Sequence, residues 1–289
     1  MKSVPSQIEL MNREWDDIAM RNPHYGIFSW PDFQDPACID EKKFNESGRV
    51  QADTFLDAIG IEETGRKIML EIGCGIGRMT HRFAELFKEV CALDISQEMI
   101  NRARVRWGHL HNVRFVKGTG QDLASVDDES VHFVFSFLVL QHLTDSEIVL
   151  RYIRECARVL RPSGVAFLQF GTMATEHSPD PRGPIILRGT QWLAECLPVW
   201  LVSTLRILKH RLRWLSPGSP AYWWNVGLWR TTASPRPDLT EDITRKTVWR
   251  GCRVPIEQVL ETCAESGLTV RLLDGVGTQY TFLTVARKS

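Results

Sequence analysis

Three glycines stand at alternate positions in Glu71-Ile72-Gly73-Cys74-Gly75-Ile76-Gly77, directly behind an apolar run. Glycine costs backbone entropy wherever its freedom is not used, so a cluster of them needs a geometric reason. A tight strand-to-helix turn is one reason, and a ligand lying against bare backbone is another. Seventeen residues past Gly77, closing the next apolar run, stands Asp94. An acidic residue about 20 positions beyond a glycine turn is placed to take hydrogen bonds from a ribose. A carboxylate accepts from both hydroxyls of a diol at once. Turn and acid together point to a nucleoside-type ligand.

The residues around the turn narrow the choice of nucleoside. A dinucleotide fingerprint runs G-x-G-x-x-G and sets a helix N-terminus against a pyrophosphate. Counted from Gly73, its last position is Arg78, which disfavours a nicotinamide oxidoreductase. Glu71 repels a pyrophosphate and suits a cation. A ligand with an adenosine end, a positive centre and an amino-acid tail fits, and S-adenosylmethionine (SAM) has all three.

The surrounding pattern alternates strand and helix. Strands are predicted over 69–73, 90–94, 113–116, 132–137 and 165–170, and a helix opens at 78–87. Further helices follow the caps at Ser96 and at residues 144–147, the latter running over 148–160 and ending at Leu160-Arg-Pro-Ser-Gly164. Such alternation implies a mostly parallel sheet covered on both faces. After Gly171 it stops, and residues 172–250 hold seven of the ten tryptophans. It resumes with a helix and two strands after residue 253. The expected division is an N-terminal helical and aromatic cap over 1–66, a sheet domain over 67–172 and 250–289, and a helical tryptophan-rich insertion over 173–249.

Bulk properties exclude several classes. The 289 residues carry 35 Lys+Arg against 35 Asp+Glu, so no overall basic footprint suggests nucleic acid. Seven cysteines without a CxxC pair favour free thiols in a reducing compartment over disulfides or zinc. The charged N-terminus lacks a signal-peptide core, and a cytoplasmic protein is expected. In the insertion, Glu195, Pro198 and Arg206 break the apolar run before it reaches bilayer length. Weak contact with a membrane surface remains open there, but a spanning helix does not.

In order and spacing, EIGCGIGRMT (71–80), ALDIS…M, GTGQDL, DESVHFVFSFLVLQHL and RVLRPSGVAFLQF resemble the successive motifs of class I SAM-dependent methyltransferases of the bacterial small-molecule type. The resemblance is close over 50–172, weaker over 250–289 and lost between. It implies a Rossmann-like, doubly wound, seven-stranded and mostly parallel α/β sheet. It also implies that Gly73, Gly75 and Gly77 let backbone approach the methionine part, with Glu71 supporting its amino group. Asp94 would hold the ribose, and Ile95 and Met99 would flank sugar and adenine. Thr119, Gly120 and Gln121 fall where the family meets the adenine edge. The family often has aspartate where Thr119 stands, which shifts that contact towards backbone and Gln121. Phe135, Ser136 and Phe137 would end the fourth strand beside the sulfonium, with Gln141 following.

Methyl transfer asks mainly for positioning and exclusion of water. An oxygen nucleophile also wants a base. The candidates are His142, His177 and His24, with Tyr25, Tyr222 and Tyr280 as positioning groups; no metal is expected. Structural roles compete with each assignment, since Asp94 also suits a helix N-terminus and His142 also suits a wall of the site. The leading reading is a methyltransferase for a small, partly apolar metabolite, with S-adenosylhomocysteine (SAH) as product. An enzyme that moves or cyclises another part of SAM, and a non-catalytic SAM-binding module, stay open. The tryptophan-rich insertion is expected to act as a substrate lid, a packing cap or the contact of a homodimer.

Overall fold

A computed structural model describes residues 6–173, 251–277 and 280–289 of the chain. Residues 1–173 and 236–289 form one compact unit, and 174–235 form a second. Apart from Met173, the expected insertion, with His177, Tyr222 and its seven tryptophans, lies outside the described residues.

The first unit is built on seven strands: β1 (Ile68–Ile72), β2 (Glu89–Asp94), β3 (Val113–Lys117), β4 (Val131–Ser136), β5 (Leu160–Phe170), β6 (Leu268–Asp274) and β7 (Thr281–Arg287). Their order is β3-β2-β1-β4-β5-β7-β6, parallel except for β7, which runs against both neighbours. Strands β1 to β3 step outward in one direction and β4 starts in the other. The switch therefore falls between β1 and β4, where open parallel sheets bind ligands at their carboxyl ends.

Helices α1 (Gln7–Arg21), α2 (Pro23–Ile27) and α3 (Glu41–Ile59) precede the sheet. Ser6 opens α1 with a reciprocal capping box to Glu9, and Asp40 caps α3 by accepting from the Lys43 N–H. Between strands lie α4 (Thr80–Leu86), α5 (Gln97–Trp107), α6 (Ser146–Val159) and α7 (Ile256–Glu265). Helix α1 packs on α5, α3 on α4, and α6 on α7. From α3, Phe55 meets Phe135, Phe137, Phe167 and Phe282 with ring centroids 4.7–6.3 Å apart. This aromatic layer fixes α3 over β4, β5 and β7. Fully burying a phenylalanine is worth about 1.5–3 kcal/mol.

One expected helix end is corrected. Helix α6 stops at Val159, and Leu160 to Gly164 belong to β5. Val131 pairs with Leu160 and Phe133 with Val165, so the extra residues bulge out of the ladder. Ser163, not Gly164, takes the left-handed conformation, with φ 63°. The Pro and Gly that look like a helix stop belong to this bulge.

Candidate functional site

The glycine turn is tied to the end of β2 at several points. The N–H groups of Gly73 and Cys74 donate to the Leu93 carbonyl at 2.7 and 2.9 Å. The Gly75 N–H donates to Asp94 Oδ2 at 2.9 Å, and the Ser96 N–H to Asp94 Oδ1 at 2.9 Å. Gly73 and Gly75 have φ of 77° and 54°, a region that is strained for other residues. A Cβ on Gly73 would overlap Val139, and one on Gly75 would lie 2.5 Å from Ile27 Cδ1. Turn and acid thus form one unit with a close-packed wall. Asp94 still has acceptor capacity, because a carboxylate offers about four lone-pair directions and the bonds from the Gly75, Ser96 and Ile95 N–H groups leave about one of them open.

Beside the turn, Glu71 is buried at the end of β1 and accepts from Thr80 Oγ1 at 2.5 Å. Burial pushes its carboxyl up to about 7, against the Thr80 bond and the Arg78 charge. Burial likewise raises Asp94 to about 6, against the bonds from the Ser96 and Gly75 N–H groups. Two desolvated carboxyls facing one cavity favour a ligand that brings positive charge and hydroxyl donors. Arg78 is buried as well. Its Nη2 donates to Gln51 at 2.6 Å, its Nη1 to Ser47 at 3.3 Å, and its guanidinium lies 4.3 Å from the centre of the Phe28 ring. Burial lowers its pKa to about 9 despite the nearby Glu71.

A cavity runs along this turn, and ten of the expected residues line it. Glu71, Gly73 and Gly75 form one stretch, Asp94, Ile95, Met99 and Gly120 another, and Phe135, Phe137 and His142 a third. The other expected residues do not line it. Gly77 has φ 83° and packs so closely on the Trp107 indole that a Cβ would overlap it, which accounts for glycine there without a ligand. Thr119 turns its hydroxyl to Asp122 Oδ1 at 2.7 Å, and Gln121 accepts weakly from Arg151 at 3.3 Å. Ser136 is fully buried, with its hydroxyl unpartnered. Gln141 sits behind His142, bonded to it at 3.1 Å. Tyr25 and Tyr280 are half-buried outside the lining, and His24 pairs with Glu41 at 2.9 Å. No group of His, Cys, Asp and Glu among the described residues is arranged to hold a metal, and no described helix is long and apolar enough to cross a membrane.

Trp15, from the aromatic cap expected over 1–66, lines the cavity from α1. Met11 from α1, and Gly26 and Ile27 from α2, line it without a sequence signal. Helix α1 is held by Asp16, whose Oδ1 accepts from Ser96 Oγ at 2.5 Å and from the Glu98 N–H at 3.1 Å, at the head of α5. Asp122 also lines the cavity, and its Oδ1 takes bonds from Thr119 and the Ala124 N–H. It stands one residue beyond the glutamine that the sequence pointed to. Leu138 lines the cavity in a left-handed conformation, φ 59°. Such strain in a leucine is tolerated only where the surroundings fix it.

Residues 70–168 match the methyltransferase domain family. The chain is 33% identical over 103 residues to phosphoethanolamine N-methyltransferase 1 of Caenorhabditis elegans, covering 36% of this chain and 21% of that one. It is 27% identical over 156 residues to the ubiquinone biosynthesis O-methyltransferase of Xanthomonas oryzae pv. oryzae, covering 54% and 59%. In each case it spans less than two thirds of the relative's length. Magnesium protoporphyrin IX methyltransferase of Synechocystis PCC 6803, solved with bound SAM, superposes with a TM-score of 0.55 at 12% identity over 100% of both chains. That likeness shows the shared fold.

Proposed function

We propose that this chain, which carries a class I SAM-dependent methyltransferase domain, transfers a methyl group to a small, partly apolar molecule. The observation that carries the proposal is the pairing of Glu71 and Asp94 across one glycine turn. One desolvated carboxyl suits an ammonium, and the other, with acceptor capacity left beyond its three backbone N–H bonds, suits a ribose hydroxyl. Ile95 and Met99 give an apolar flank for a purine, and Asp122 rather than Gln121 offers the acceptor beside it.

Bound SAM supplies a methyl carbon already activated by its sulfonium, so the chain's own task is to hold, align and keep dry. Ile27 and Val139 pack against the turn and Trp15 lines the cavity beside His142, an apolar cover that keeps water out. Phe135, Phe137 and Leu138 form an apolar wall, which supports a partly apolar acceptor. Substrate choice and any pairing of two chains are assigned, on sequence grounds alone, to the insertion over 173–249.

The test is calorimetry with SAH against NAD. Binding of SAH with none of NAD is expected, and the reverse would overturn the proposal. Incubation with SAM alone adds a second discrimination. Release of methylthioadenosine without any acceptor would move the assignment to intramolecular chemistry on SAM.

A further inference from the structure

A chain of hydrogen bonds running from the sheet into the cavity wall decides where His142 carries its proton. It begins at the Leu138 backbone N–H, which donates to a side-chain amide atom of Gln169 at 2.9 Å. A backbone N–H can only donate, so that atom is the oxygen, Oε1. The Gln169 nitrogen is then committed as a donor, and it reaches Gln141 Oε1 at 3.0 Å. Gln141 is left with its own nitrogen facing His142 Nε2 at 3.1 Å. A ring nitrogen that receives an N–H uses its lone pair to do so. The direction of every link follows from the first.

We infer that Gln141 and Gln169 are positioning residues that hold His142 in its neutral Nδ1–H form, with the Nε2 lone pair engaged. The anchor of the relay is firm. Gln169 is fully buried on β5, and the Leu138 that it grips is held in the left-handed region. The ring is also braced by Trp15, edge-on with centroids 5.4 Å apart. His142 borders the cavity but cannot take a proton at Nε2 without losing the Gln141 bond. It therefore acts as a fixed wall of the site rather than as the base for an acceptor. That last consequence rests on the methyltransferase reading, whereas the tautomer does not.

The test uses the full chain with 15N-labelled histidine and long-range proton–nitrogen correlation. This measurement distinguishes protonated from unprotonated ring nitrogens, and a His142→Asn sample assigns the signals. The wild-type protein should show a protonated Nδ1 and a bare Nε2 for His142. Gln141→Glu keeps an acceptor for the Gln169 nitrogen but offers none of its own N–H groups to His142. The ring must then donate from Nε2, and that nitrogen should become protonated, as the Nε2–H tautomer or as an imidazolium held by the new carboxylate. A side chain that merely filled space would leave Nε2 bare. A protonated Nε2 in the wild type overturns the inference without recourse to any variant, as does an unchanged pattern in a folded Gln141→Glu protein. A wild-type protein with the Nδ1–H pattern that binds no SAH supports the relay and overturns the function into which it was read.

Discussion

Binding of SAH should release close to one proton at about pH 6.5 and only about a tenth of one at about pH 8. Before binding, Glu71 and Asp94 titrate near about 7 and about 6 because the protein desolvates both. At about pH 6.5, roughly three quarters of Glu71 and one quarter of Asp94 then carry a proton. An ammonium and a ribose diol both favour the ionised carboxylate, so binding pulls both values down and expels those protons. The sign is fixed: affinity rises as pH climbs through 6 to 7 and then levels off, by about fivefold from about pH 6.5 upward, since only about a fifth of the molecules have both groups ionised at that pH. His24, His81 and His132, held below the usual histidine range by burial, complicate any melting experiment across this window. None of them lines the cavity, so calorimetry of binding avoids them. The assay is titration at one pH in buffers of differing ionisation enthalpy, where the slope of observed heat counts protons. Glu71→Gln should cut the release at about pH 6.5 to roughly a quarter. Equal release in wild type and Glu71→Gln, or proton uptake on binding, would refute the pairing of this carboxyl with the ligand's positive end.

Asp94→Ala should weaken SAH binding by about 1–3 kcal/mol, and an unchanged dissociation constant would remove Asp94 from the ribose role. Gly73→Ala should lower the melting temperature and abolish SAH binding, because it adds left-handed strain of about 1–2 kcal/mol to an overlap with Val139; a fully stable, binding-competent variant would contradict the packed wall. Asp16→Ala should cost about 1 kcal/mol of stability through the lost cap at the head of α5, read from chemical denaturation. Asp122→Asn should narrow the preference for SAH over S-inosylhomocysteine, since an amide can donate to the 6-oxo group where a carboxylate cannot; an unaltered ratio would take Asp122 away from the purine edge.

The sheet was legible because each parallel strand is a short apolar run between helix caps, and those signals are local. Ser96 and the acids before α6 mark helix starts within a few residues of where they occur. The bulge at Leu160 to Gly164 was not legible, because its Pro and Gly are the same residues that would end a helix, and only the pairing with β4 separates the two. In the site, the turn and Asp94 could be read from spacing, and an aromatic N-terminal cap from its residue types, whereas the contacts which that cap makes with the turn could not. Ile27 reaches Gly75 across 48 positions, and nothing local in a Pro23–Ile27 helix announces that contact. Gln169 did leave a trace, as one amide within an apolar strand, and a polar group placed there needs a partner. Gln121 and Asp122 are adjacent acceptors, and only the fold of their loop decides which of them borders the cavity.

The Asp16 clasp on α5 stands two residues from the carboxylate proposed to grip the sugar. Retention of the small molecule and docking of the chain's first helix thus draw on one shared anchorage, and coupling between two such events is reciprocal. Saturating SAH should therefore slow amide exchange in α1 as much as around the turn itself, and a chain trimmed of its first thirty residues should lose its hold on the nucleoside even with every glycine intact.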